Sequence, residues 1–151
     1  MKSRSRARTR DKNSRATLEM TSIVRALLNR LLGERGERAA AKYLKRQGMR
    51  VLLRGYRTRL GEIDLIARDG DTLVFVEVKA RRQGVPAEAV TPEKERRLTN
   101  VAFQFMRRYD VLEVRSRFDV VAIVWPDDRT PPQIEHFRNA FEPVGRWQMF
   151  R

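Results

Sequence analysis

Glu62, Asp64, Glu77 and Lys79 are the residues of this 151-residue chain whose types and spacing could do chemistry. They lie in two apolar segments, Gly61-Glu62-Ile63-Asp64-Leu65-Ile66-Ala67 and Thr72-Leu73-Val74-Phe75-Val76-Glu77-Val78-Lys79. Asp69-Gly70 between them is a strong signal for a two-residue hairpin loop of type I′. With that loop, Asp64 is expected opposite Phe75 and Glu62 opposite Glu77. Alternation then gathers Glu62, Asp64, Phe75, Glu77 and Lys79 on one face. Ile63, Leu65, Val74, Val76 and Val78 take the other, buried face. Like charges directly opposite destabilise a strand pair, and Asp64 would stand diagonal to Glu77 at roughly 7–8 Å. A hard divalent cation, Mg²⁺ or Mn²⁺, would turn that repulsion into attraction. Lys79 beside it could stabilise charge on a phosphate or orient an attacking water. A solvated hairpin face would account for the charges, with Lys79 offsetting its neighbours, but not for their clustering within apolar strands.

Composition narrows the chemistry. The chain has no cysteine, which excludes disulfide scaffolds, thiolate metal sites and cysteine nucleophiles. His136 is the single histidine, so two-histidine nuclease chemistry is excluded and a Ser-His-Asp triad has no supporting motif. Carboxylates, lysine and a hard metal remain. Lys plus Arg number 33 against 19 Asp plus Glu, a net charge of +14 that favours polyanionic partners. No apolar run approaches the ~18 residues that cross a bilayer. Arg25 and Arg30 interrupt the best one, residues 23–32, and no cleavage site follows it. A cytoplasmic protein without a membrane partner is the expectation.

The elements that must position these groups read as one α/β domain over 18–151 behind a basic tail, 1–17. The tail holds seven basic residues and one acid with no large apolar group. It is expected to be disordered in isolation, as a solubilising terminus or a phosphate-binding arm. Helical spacing of Ile23, Leu27, Leu28, Leu31 and Leu32 predicts a helix from 18, broken near Gly33 and Gly36, with a second over 37–47. Strands are predicted over 50–56, 61–67, 72–81 and 117–125. Between the last two, Thr91 as N-cap and Pro92 open a helix whose stripe is Leu98, Val101, Ala102, Phe105 and Met106. Residues 134–141 supply an edge strand or cover the sheet, and His136 is expected at the surface or edge. The order α-β-β-β-α-β implies a mixed central sheet flanked by helices. Glu37 precedes Ala40, Ala41 and Leu44 by three, four and seven residues, placing an acid on the inward stripe; favourable placement at a helix N-terminus would also explain it. Lys94, four residues before Leu98, either reaches the same pocket or snorkels to water. Trp125, Trp147 and Phe150 could stack on bases but read as packing residues.

Asp64 followed by Glu77-Val78-Lys79 resembles the D…(D/E)-x-K signature of the restriction-endonuclease-like superfamily. The wider string is more specific: Gly36-Glu37, residues 61–66, residues 74–79 with Arg81, Ala89-Val90-Thr91-Pro92-Glu93-Lys94, and Arg117-Phe118-Asp119-Val120-Val121. Over about 33–124 it is similar to the YraN-like family of small bacterial proteins. Gly55 departs from it, since the family commonly has Asn before Tyr-Arg. The resemblance implies a restriction-endonuclease-like core and a metal-dependent nuclease, with Asp64, Glu77, Lys79 and Glu37 as catalytic residues. Asp64, Glu77, Glu37 and Glu62 would hold Mg²⁺ or Mn²⁺. Lys94, Arg81, Arg82 and Arg97 would hold the DNA or RNA backbone without reading sequence. A homodimer is common in that superfamily. The rival expectations are a non-catalytic nucleic-acid-binding module on the same fold, and a small interaction protein whose charge aids solubility.

Overall fold

The computed structural model describes residues 4–82 and 90–145, with side chains from residue 18 onward. Helix α1 spans Arg4–Arg46, and β1 Arg50–Thr58, β2 Gly61–Asp69 and β3 Thr72–Arg81 follow it as an antiparallel meander. Helix α2, Pro92–Arg108, crosses over to β4, Ser116–Val124, which runs parallel to β3; β5, Gln133–Phe141, closes the sheet antiparallel to β4. The sheet order is β1-β2-β3-β4-β5. The expected helix-flanked mixed sheet is therefore present, and 134–141 is its edge strand. Residues 4–17 of the basic tail, expected to be disordered in isolation, run as the first turns of α1, with their side chains outside the described residues, as are Trp147 and Phe150. No helix among the described residues is long and apolar enough to cross a membrane.

Each face of the sheet has its own helix. Ala40, Ala41 and Leu44 of α1 pack on Leu65, Ala67, Val74, Val76, Val121 and Ile123. On the other face Leu98, Val101, Ala102, Phe105 and Met106 of α2 meet Ile63, Ile66, Phe75, Phe118 and Val120. The α2 start is as expected: Thr91 Oγ1 accepts from Lys94 N at 3.2 Å.

Three expectations need correction. First, Gly33 and Gly36 do not break α1, which is one helix of 43 residues. An interior glycine costs about 1 kcal/mol in helix propensity, and packing outweighs it here. A Cβ on Gly36 would come 2.6 Å from Cβ of Ala80, so glycine lets the helix settle directly on β3. Glu37 thus lies deep within a long helix, and the N-terminal dipole reading falls. Second, the hairpin register is two residues off. Asp69 pairs with Thr72, the loop is Gly70-Asp71, and Ile66, not Asp64, faces Phe75. Asp69 stays in the strand because Arg117 on β4 holds its carboxylate at 2.9 Å. Third, Ile63 does not share a face with Leu65 and Ala67; it packs on the α2 side.

Candidate functional site

The break in alternation at Ile63 builds the site. Opposite Asp64 on β1 stands Gly55, flanked by the pairs Arg54↔Leu65 and Tyr56↔Ile63. Its φ of +63° is in the left-handed region, which glycine adopts freely and asparagine tolerates. The glycine that departs from the family pattern therefore keeps the backbone kink. Here β2 leaves β3: the ladder's last pair is Leu65↔Val76. The next β3 donor is satisfied by a side chain, with Val78 N donating to Asp64 Oδ2 at 2.7 Å. Asp64 is thus a substitute rung as well as an acid.

The cleft so opened is a cavity of about 370 Å³ lined by Glu37 from α1, Asp64 from β2, Glu77, Lys79 and Arg81 from β3, and Lys94 from α2. Glu77 faces Asp64, not Glu62, in place of the expected 7–8 Å diagonal, close enough for its charge to act on the Asp64 carboxyl. Oxygens of Glu37, Glu62 and Asp64 lie within 4.8 Å of one another. Glu37, Glu62 and Asp64 are therefore the residues that could together hold a hard cation, which takes oxygen ligands. Carboxylate oxygens are the donor set that Mg²⁺ and Mn²⁺ favour.

The electrostatics fit an acid cluster awaiting positive charge. Burial, then the charge of Glu77, pushes the Asp64 carboxyl up to about 8 despite the hydrogen bond from Val78. Burial, followed by Glu62 and Glu34, raises Glu37 against the pull of Arg57 and Arg54. Glu62, expected opposite Glu77, instead meets Arg57 Nε at 3.2 Å. Glu77 has a side chain only 6% exposed and is ion-paired with Lys94 Nζ. Lys94 therefore reaches the pocket, and does so by engaging an acid. Arg82 lies exposed at the end of β3 and Arg97 exposed on α2 beside Gly61; neither lines the cavity.

Asn29 and Gly33 of α1 also line the cavity and were not anticipated. Their spacing to Glu37, at i, i+4 and i+8, marks one helix face, but the expected break at Gly33 hid that continuity. Asp119 and His136 form a separate, structural network. Asp119 is fully buried; it accepts from Arg117 Nε and Asn139 N, both at 2.9 Å, and lies 2.8 Å from His136 Nε2. Burial raises its carboxyl, but His136, Arg117 and the Asn139 N–H together hold it below its ordinary value. His136 sits on the edge strand as expected, yet its side chain is only 4% exposed because it packs against this acid. Trp125 is buried beneath the Arg35 guanidinium, 4.4 Å from its ring centroid, and packs as expected.

A family model described as uncharacterised protein family UPF0102 matches residues 36–123. A UPF0102 protein of Geobacter sulfurreducens is 51% identical over 119 residues, covering 76% of this chain and 91% of the relative. One from Rhodococcus opacus is 51% identical over 116 residues, covering 75% and 98% respectively. The matched span carries every acid of the cleft with Lys79 and Lys94. The chain belongs to the UPF0102, YraN-like family.

Proposed function

We propose that this protein is a metal-dependent nuclease-like enzyme acting on phosphodiester bonds of DNA or RNA. The observation that carries the reading is the convergence of Glu37, Glu62, Asp64 and Glu77 with Lys79 in one cleft. Glu37, Glu62 and Asp64 would hold Mg²⁺ or Mn²⁺, joined by Glu77 through its contact with Asp64. Such an ion, when bound, supplies a Lewis acid for a phosphoryl oxygen and lowers the pKa of a bound water. Lys79 stabilises charge that develops on the phosphate. Arg81 extends the positive lining, and Arg82 and Arg97, exposed outside it, would contact the nucleic-acid backbone. Purified protein with Mg²⁺ or Mn²⁺ is expected to cut at least one member of a panel of single-stranded, duplex and branched DNA and RNA. Asp64→Asn is expected to abolish that cutting.

A second reading rests on the Glu77–Lys94 ion pair, which gives the most buried acid of the cleft a cation from the protein itself. A non-catalytic binding module could keep such a site. If the wild type binds nucleic acid but cuts nothing with either metal, that reading replaces the first.

A further inference from the structure

Leu18, Met20, Ile23, Val24, Leu27, Leu28 and Leu31 are between 47% and 70% exposed, although all seven lie within fourteen residues of one helix. At 100° per residue, the centre of the stripe from Met20 to Leu31 lies roughly 125° round α1 from that of Ala40, Ala41 and Leu44, which dock on the sheet. The chain's own sheet therefore cannot cover it. We propose that this face pairs with the same face of a second copy of the chain, the two α1 helices running antiparallel.

Three observations favour that occupant. Positions 20, 23, 24, 27, 28 and 31 read the same from either end about a centre between Arg25 and Ala26. An antiparallel two-fold thus sets Met20 against Leu31, Ile23 against Leu28 and Val24 against Leu27, with no polar residue in the seam. Residues 18–34 hold Arg25 and Arg30 against Glu19 and Glu34, so the stripe carries no net charge to draw it to an anionic membrane. A parallel pair would lay the two 1–17 segments, seven basic residues and one acid each, side by side; the antiparallel pair sends them to opposite ends. At their present exposure the six side chains offer about 770 Å² of apolar surface over two copies, from ~30 Å² per methylene-sized group. At the ~65% apolar content of homodimer interfaces this becomes ~1,200 Å², at the lower edge of the standard size range. The pairing does not depend on the nuclease reading.

Sedimentation or light scattering of the full chain at tens of micromolar is expected to give twice the 17.8 kDa chain mass. Leu27→Glu is expected to halve it while leaving thermal unfolding of the sheet core unchanged, and Leu27→Ile to keep the dimer. The chain has no cysteine, so a mixture of Val24→Cys and Leu27→Cys proteins reports direction. Cross-links between the two variants should exceed those within either. A wild-type monomer, a mass that Leu27→Glu does not change, or Leu27-dependent binding of a monomer to anionic vesicles would each overturn the proposal. Cross-links confined to Leu27→Cys with itself would overturn the antiparallel arrangement.

Discussion

Replacing Asp64 by Asn is expected to make the metal-free protein more stable, not less. The amide oxygen still accepts from Val78 N, so the substitute rung at 2.7 Å survives. What disappears is the cost of ionising a carboxyl wedged against Glu77. Its pKa rises from the model-compound 3.8 to about 8, burial being the largest cause. A raised acid contributes its stability in full below the unfolded value and loses it as pH climbs to the folded value. The wild type should therefore weaken relative to Asp64→Asn from about pH 4, levelling off near pH 8. Each pH unit in that window is worth up to ~1.4 kcal/mol. The cavity is open to water, so about half the full span survives screening, leaving on the order of 2–3 kcal/mol at pH 8.

For a chain of this length that is a thermal-midpoint gap of roughly 4–12 °C at pH 8. Thermal scans of both proteins from pH 4 to pH 9 in chelator would measure it. Adding Mn²⁺ at 1,000 times its Kd should reverse the order, since it stabilises by about 4.1 kcal/mol and Asp64→Asn should gain little of it. A midpoint difference that does not change with pH would refute the reasoning, because Asp64 would then be ionising as freely as an exposed acid.

Other perturbations test neighbouring parts. Calorimetric titration with Mn²⁺ should show proton release and weaker binding by Glu37→Gln and Glu62→Gln, as expected where crowded acids exchange protons for a cation. Gly36→Ala should lose about 1–3 kcal/mol in chemical denaturation because its Cβ meets Ala80 at 2.6 Å. Gly33→Ala, with nothing within 4 Å, should gain about 0.5–1 kcal/mol in the same assay. Asp119→Asn should cost about 3 kcal/mol at neutral pH by stranding Arg117 and His136. Because the Asp119 carboxyl is held low, its stability is present above the ordinary value and fades as pH falls through the folded one, so the two midpoints should converge in acid. On any substrate the wild type cuts, Lys79→Ala should lower the cleavage rate by about 10²–10³ while weakening binding only modestly.

The sequence carried the parts of the fold that depend on periodicity and turn chemistry. Both helix faces that dock on the sheet, the Thr91 cap and the strand cores were legible because each is a local pattern. The register was not, because the Asp69-Gly70 signal predicts a loop one residue earlier than the Gly70-Asp71 turn the chain makes. Asp69 is claimed by Arg117, 48 residues away in sequence, and a tertiary ion pair of that kind leaves no local mark. The continuity of α1 was hidden likewise: two glycines three residues apart suggest an ending, and only the approach of Ala80 gives Gly36 a different purpose. For the site, residue types sufficed to find the acids and lysines. Their partners could not be read. The Glu77–Lys94 pair, the Glu62–Arg57 pair and the place of Asn29 all follow from where β2 departs from β3.

That departure explains why the acids are tolerated in the core of a sheet. A strand that leaves its neighbour strands backbone donors, and an unsatisfied buried N–H costs about 1–3 kcal/mol. Asp64 meets that demand at Val78, so the fold itself recruits a carboxylate to the fork. Once there, it lies against Glu77, and the pair can be relieved by a proton, by a lysine or by a metal. Glu77 has taken Lys94, and Asp64 leans toward the proton. A metal that displaced this proton would occupy a position where chain topology has already assembled acids from α1, β2 and β3. Asp64→Ala should accordingly behave differently from Asp64→Asn. Alanine removes the ionisation cost but also orphans Val78 N–H, so its gain at pH 8 should be smaller by about 1–3 kcal/mol. Equal midpoints for the two variants would mean that water replaces the rung, and that the fork does not need a side chain to hold it open.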